Sequence, residues 1–149
     1  MKREVLVHFS FWFAFFVFIT LIKGWFSLSY WPFWVGGIVG TVLPDIDHFL
    51  YVLFLQPQEL TSRRVSYMLG KREIWQAIRL LYDTRSERSN LIFHTITFQL
   101  IFAVLTFWVM TSSASLFGRG LVLAFSLHLL IDRYWFPMLL LVLVFGFLL

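Results

Sequence analysis

Four histidines and three aspartates carry the chemistry open to this chain. His8, Asp45, Asp47, His48, His94, His128 and Asp132 all lie within or beside long apolar runs. They include every histidine of the sequence and three of its eight acids. A charged side chain at mid-bilayer costs roughly 2.5 to 3.5 kcal/mol on insertion scales, so each such residue needs a partner or a task. Imidazole nitrogens and carboxylate oxygens together are the ligands of zinc, and also of manganese or iron. The spacing suits that use. His128 and Asp132 stand four apart and project from one helix face a turn apart, and Asp45 and His48, three apart, can do the same. The three carboxylates have one nearby basic side chain, Arg133. Neutral histidines leave the remaining negative charge in place, whereas a divalent cation compensates it.

The elements that position these residues are membrane helices. The 149 residues are 60% apolar, 21% aromatic and only 13% charged, with a mean hydropathy of +0.81. A soluble domain is about 25% charged. Eleven of the twenty charged residues fall between Glu59 and Arg88, which leaves the flanks nearly pure hydrocarbon. An ordinary soluble enzyme, a disordered tail and a disulfide scaffold are thereby excluded. The absence of cysteine removes thiolate metal sites and cysteine nucleophiles as well. A net charge of +4 would suit nucleic acid or anionic lipid. No basic-aromatic motif of a nucleic-acid module is present, so membrane lipid is the expected partner and nucleic acid is not.

A run of roughly 17 to 25 apolar residues crosses the hydrocarbon core as a helix. The runs at 5–22, 25–55 and 91–110 are long enough, the second being interrupted by Pro44-Asp45-Ile46-Asp47-His48, and a fourth, shorter run begins near Leu121 and ends around Asp132-Arg133. The first could be a signal peptide with Ser27-Leu28-Ser29 as its cleavage site. Its length, Lys23 and the crowding tryptophans favour a retained anchor. The tail 134–149 would be about 24 Å long as a helix, short for a span, and either crosses or re-enters. The expected fold is therefore all-α: a polytopic transmembrane helical bundle of four to five membrane segments, forming a single integral membrane domain over 1–149.

Orientation follows from Lys and Arg. With the N-terminus inside, Lys2, Arg3, the seven basic residues between Arg63 and Arg88, and Arg133 lie inside, and only Lys23 and Arg119 outside. Trp25, Tyr30, Trp31 and Trp108 then fall at the outer interface, with Tyr134 and Trp135 at the inner one. The polar stretch 56–90 becomes a cytoplasmic connection. Within it Ile74, Trp75, Ile78, Leu81 and Tyr82 share a helical face, which suits an amphipathic helix in the headgroup region or, equally, one packed on a neighbour. His8, Asp45 to His48, His94, His128 and Asp132 all come at cytoplasmic depth, so one site can hold them.

Plainer roles exist for each residue. His8 alone suits a helix-to-helix hydrogen bond. Asp132 can pair with Arg133 or cap a broken helix, and His48 can face headgroups. Gly36, Gly37 and Gly40 suit close helix packing, and Asn90 a helix start. Pro44 fits the first turn of a helix, with Asp45 and Asp47 at its positive end, or kinks one long span.

The early His8, the segment Gly40-Thr41-Val42-Leu43-Pro44-Asp45-Ile46-Asp47-His48, His94 opening a later span, and His128-Leu129-Leu130-Ile131-Asp132 together give a resemblance. The chain resembles the membrane-bound metal-dependent hydrolases of the YdjM type (the DUF457 family). That resemblance implies a compact polytopic helical protein with a divalent-metal site, and nominates His8, Asp45, Asp47, His94, His128 and Asp132 as its residues. Two departures stand out. Asn90-Leu91 replaces a family His-Arg pair, and Arg133-Tyr134-Trp135-Phe136-Pro137 replaces a Ser/Thr-Pro turn. They bear on catalysis more than on metal binding.

The expected function is a membrane-embedded metal-dependent hydrolase acting on a lipid-like ester or phosphoester. His8, His94, His128 and Asp132 would hold the metal and Asp47 would contribute or bridge. Asp45 would be a ligand or the general base. The expected location is a bacterial or archaeal cytoplasmic membrane. The alternative is a non-enzymatic ion-binding or proton-relay protein, such as a small transporter subunit or assembly factor, and a third reading keeps the metal purely structural.

Overall fold

The structure, a computed structural model, describes residues 2–88 and 91–132. The expectations for Asn90, Arg133, Tyr134, Trp135 and the tail 134–149 lie outside the described residues. All regular elements among the described residues are helical. Two stretches are long and apolar enough to cross a membrane, Leu6–Lys23 and Leu28–Leu55. Two shorter apolar helices follow, Ile96–Ser112 and Leu116–Ile131. On the first stretch Phe9, Phe11, Phe13, Phe18, Leu21 and Ile22 are exposed. The core helix of a soluble protein would bury such side chains.

The second stretch changes pitch along its length. Helix α2 (Trp31–Val42) carries Pro32 in its first turn, where the missing N–H costs nothing. It tightens to a 3-10 turn at Leu43–Asp45, which contains Pro44, and resumes as α3 (Ile46–Leu50). A π-helical turn at Tyr51–Leu55 ends it. Pro44 is thus absorbed in a tightened turn where it needs no N–H partner, and the helical run continues past it.

The chain forms two compact units. One takes residues 2–44 and the described chain from Ile96 on, comprising α1 (Lys2–Lys23), α2, α6 (Ile96–Ser112) and α7 (Leu116–Ile131). Its centre is α7. Ser115 caps that helix by accepting from the Gly118 N–H at 3.1 Å. From Val122 to Leu129 every residue of α7 is buried, the polar Ser126 and His128 included. Helix α2 meets α7 backbone to backbone. A Cβ at Gly36 would overlap the Phe117 carbonyl, one at Gly40 the Leu121 carbonyl, and one at Gly120 the Phe33 carbonyl. This is close packing through small residues, as the glycine spacing suggests. Aromatic rings lock the flanks: Phe16 of α1 stacks on Phe33 at 4.5 Å, and Phe102 of α6 lies 4.3 Å from Phe125.

The other unit spans Asp45–Thr95. After α3 and the π turn come α4 (Leu60–Gly70), α5 (Ile74–Asp83) and a 3-10 turn at Arg85–Glu87. Its core joins Tyr51, Val52, Val65, Ala77, Leu81 and Leu91. Helix α4 ends at Gly70, but Gly70 is not its left-handed cap. Arg72 takes the left-handed conformation (φ 62°), with the Arg72 N–H on Leu69 O and the Glu73 N–H on Met68 O at 2.9 Å, a Schellman closure. Helix α5 stands where the periodicity places it, but its apolar face divides. Ala77 and Leu81 pack inward, whereas Ile74 and Trp75 stay exposed, Trp75 at 84%.

Candidate metal centre

Residues from the first and last described helices meet in the α1–α7 unit. Helix α1 supplies His8, the last turn of α7 supplies His128, and Asp132 is the C-cap, its N–H bonded to the His128 carbonyl at 3.1 Å. The Asp132 carboxylate lies between the two rings. Its Oδ1 is 3.0 Å from His8 Nε2 and its Oδ2 is 3.1 Å from His128 Nε2. The rings themselves are 4.6 Å apart, centre to centre. The i, i+4 spacing of His128 and Asp132 thus does what helical geometry requires, and His8 completes the group across 124 residues of sequence.

This donor set fits a divalent cation. One ligand atom from each of the three residues lies within 4.8 Å of the others. Zinc bonds of about 2.0–2.1 Å in a tetrahedron put neighbouring ligand atoms about 3.3 Å apart. The two His–Asp pairs stand near that value, and the group as a whole, within 4.8 Å, would close slightly around an ion. Each imidazole would turn to the tautomer with its proton on Nδ1, freeing Nε2 to coordinate. Electrostatics favours a positive charge here as well. Asp132 places a carboxylate at a helix C-terminus, which already carries about half a negative charge. Among the described residues three ligands would hold such an ion, one fewer than a tetrahedral zinc site takes.

Asp47, His48 and His94 belong to the other unit. Asp47 is fully buried. Its Oδ1 accepts from the Ile92 N–H at 3.1 Å and its Oδ2 from the Phe93 N–H at 2.6 Å, with His94 Nδ1 at 3.4 Å from Oδ2. It ties the segment that leads into α6 to the first turn of α3. The His48 ring lies 6.3 Å from that of His94. Asp45 stands at the N-cap of α3 with its side chain exposed.

Of the six residues nominated from the sequence, His8, His128 and Asp132 form one ligand-competent group. Asp47 and His94 form a hydrogen-bonded pair with a visible structural task. One residue escaped notice. Arg88 is buried within the Asp45–Thr95 unit, its Nη2 donating to the Leu81 carbonyl. In sequence it is one of seven basic residues in a polar stretch, and no periodicity sets it apart from the solvated ones. Comparison of the chain with models of protein families, with curated proteins and with solved structures finds no match.

Proposed function

We propose that this chain is an integral membrane, metal-dependent hydrolase of the YdjM (DUF457) type, with its metal held by His8, His128 and Asp132. The observation that carries the reading is the convergence of two imidazole nitrogens and a carboxylate from helices at opposite ends of the described chain. Zinc is the metal these donors favour, with manganese or iron as substitutes. Four or five segments cross the membrane with the N-terminus inside, so the basic stretch between Arg63 and Arg88 faces the cytoplasm. The substrate class is an ester or phosphoester of a lipid-like amphiphile. A bound metal ion supplies Lewis acidity and lowers the pKa of a coordinated water to about 7. The chain's own contribution is placement. The glycine contact of α2 with α7 keeps α7 rigid, so His128 and Asp132 hold their positions relative to each other, while His8 reaches them from α1.

The test is metal content and hydrolysis together. Detergent-purified protein should carry close to one equivalent of metal, lost in His128→Ala and in Asp132→Ala. Ester or phosphoester hydrolysis should vanish on chelation and return with zinc. A folded parent that takes up neither zinc nor manganese would sink the proposal.

One observation favours a second reading. His8 and His128 each meet a different oxygen of Asp132, which is also the geometry of a short proton relay. Under that reading liposomes containing the protein leak protons at a rate unaffected by chelators, and Asp132→Asn abolishes the leak.

A further inference from the structure

Arg88 is a buried cation that the surrounding fold leaves only partly answered. The 3-10 turn Arg85–Glu87 delivers it against the last turn of α5, where its side chain is 7% exposed. Its Nη2 donates to the Leu81 carbonyl. That contact satisfies a carbonyl at a helix C-terminus and meets the negative end of the helix dipole, a sound structural role. It uses one of five N–H groups. Nε and Nη1, which carry three N–H between them, are buried and have no acceptor among the described residues. Two acids stand close enough to act on the guanidinium, Glu87 and Glu59. Glu87 is exposed, and Glu59 accepts from the Tyr51 hydroxyl at 2.8 Å. Burial pulls the guanidinium pKa below its usual value, yet arginine does not lose its proton in proteins. A buried charge with unfilled donors is expensive until an anion meets it.

A second unfilled group stands near. His48 Nδ1 is buried with no partner among the described residues, within reach of the charges of Arg88 and Arg85. The neighbouring carboxylate of Asp47 is engaged by the Ile92 and Phe93 N–H groups and by His94. We propose that Arg88 and His48 form a binding site for a phosphate-class oxyanion, presented by a lipid headgroup or as free phosphate. Three guanidinium N–H groups and the Nδ1–H tautomer of His48 make four donors. They match the three terminal oxygens of a phosphate monoester better than the two of a carboxylate, and the guanidinium fork suits phosphate geometry. Within the same unit α5 exposes Ile74 and Trp75, an apolar edge of the kind that seats in a membrane interface and brings headgroups near. The site is independent of the metal reading.

The experiment uses the full chain in detergent. Inorganic phosphate is titrated calorimetrically, and native mass spectrometry compares phosphatidic acid with phosphatidylcholine. The variants are Arg88→Gln, Arg88→Lys, His48→Gln and, as control, Arg79→Gln; Arg79 is exposed and lies 3.7 Å from Asp83. Expected is binding of phosphatidic acid over phosphatidylcholine, weakened at least tenfold by Arg88→Gln and by His48→Gln and unchanged by Arg79→Gln. Binding of phosphatidic acid without inorganic phosphate identifies a headgroup site; equal binding of both identifies a site for the phosphate itself. If Arg88→Gln fails to fold, Arg88→Lys keeps the charge, loses the fork and must still weaken binding. No binding of either ligand, or an equal loss in Arg79→Gln, overturns the proposal.

Discussion

His8 and Asp132, 124 residues apart in sequence, meet at 3.0 Å. The contact joins α1 to the end of α7, and His128 reaches the other oxygen of the same carboxylate at 3.1 Å. A carboxylate at a helix C-terminus is normally unfavourable. Here two imidazoles gather around it, and the cation proposed for this site would offset that negative charge more completely.

The proposed metal would therefore be linked to stability. A ligand that binds only the folded state stabilises it by about 2.7 kcal/mol at a hundredfold excess over its Kd. Zinc should therefore raise the melting temperature of the parent in detergent, and a chelator should lower it again. In Asp132→Ala both additions should leave the melting temperature unmoved. A zinc shift that persists in Asp132→Ala would place the metal elsewhere.

The glycines provide predictions of opposite sign. Gly40→Ala drives a Cβ into the Leu121 carbonyl, which is backbone and cannot swing aside. Helices α2 and α7 must then separate, at a cost of about 3 kcal/mol, the upper range for overpacking. Gly70 ends α4 with nothing within 4 Å of its added Cβ. Gly70→Ala should stabilise by roughly 0.5–1 kcal/mol through helix propensity. Denaturant unfolding of the two variants in one detergent measures both.

How much of this was legible in the sequence depends on how local each relation is. The pairing of His128 with Asp132 follows from their spacing alone, and Gly36 and Gly40 mark a packing face by theirs. The partner of that face, Gly120, and the arrival of His8 beside His128 are tertiary facts with no local trace. Asp47 shows the limit most clearly. It accepts backbone N–H groups 45 and 46 residues away, and backbone donors leave no mark in a sequence. On α5 the strongly apolar residues suggested one continuous face. Burial instead follows Ala77 and Leu81, the two positions four apart that join the core of this unit with Val65 and Leu91.

The orientation of the chain is open to a clean chemical test because the sequence has no cysteine. Single cysteines can be placed at exposed Ser27, Gly70 and Ala114. With the basic stretch inside, a membrane-impermeant maleimide should label Ser27→Cys and Ala114→Cys in intact cells. Gly70→Cys should react only after lysis. The reverse pattern would invert the topology inferred from Lys and Arg.

Asp47→Ala tests the anchoring task directly. The side chain is fully buried and serves two backbone donors and His94. Hydrogen bonds to a charged acceptor contribute about 1.5–3 kcal/mol each, and their loss strands the donors. Removal of the carboxylate should therefore release the segment around Ile92 and Phe93 locally rather than loosen the whole chain. Amide hydrogen exchange at those two positions should accelerate at least a hundredfold, while amides in the middle of α7, buried in the other unit, keep their protection. Asp47→Asn retains one acceptor oxygen but sets an NH2 against the second donor, so it should release the segment nearly as much. Exchange that quickens uniformly along the chain would instead make Asp47 a residue of global stability, and the anchoring role would fall.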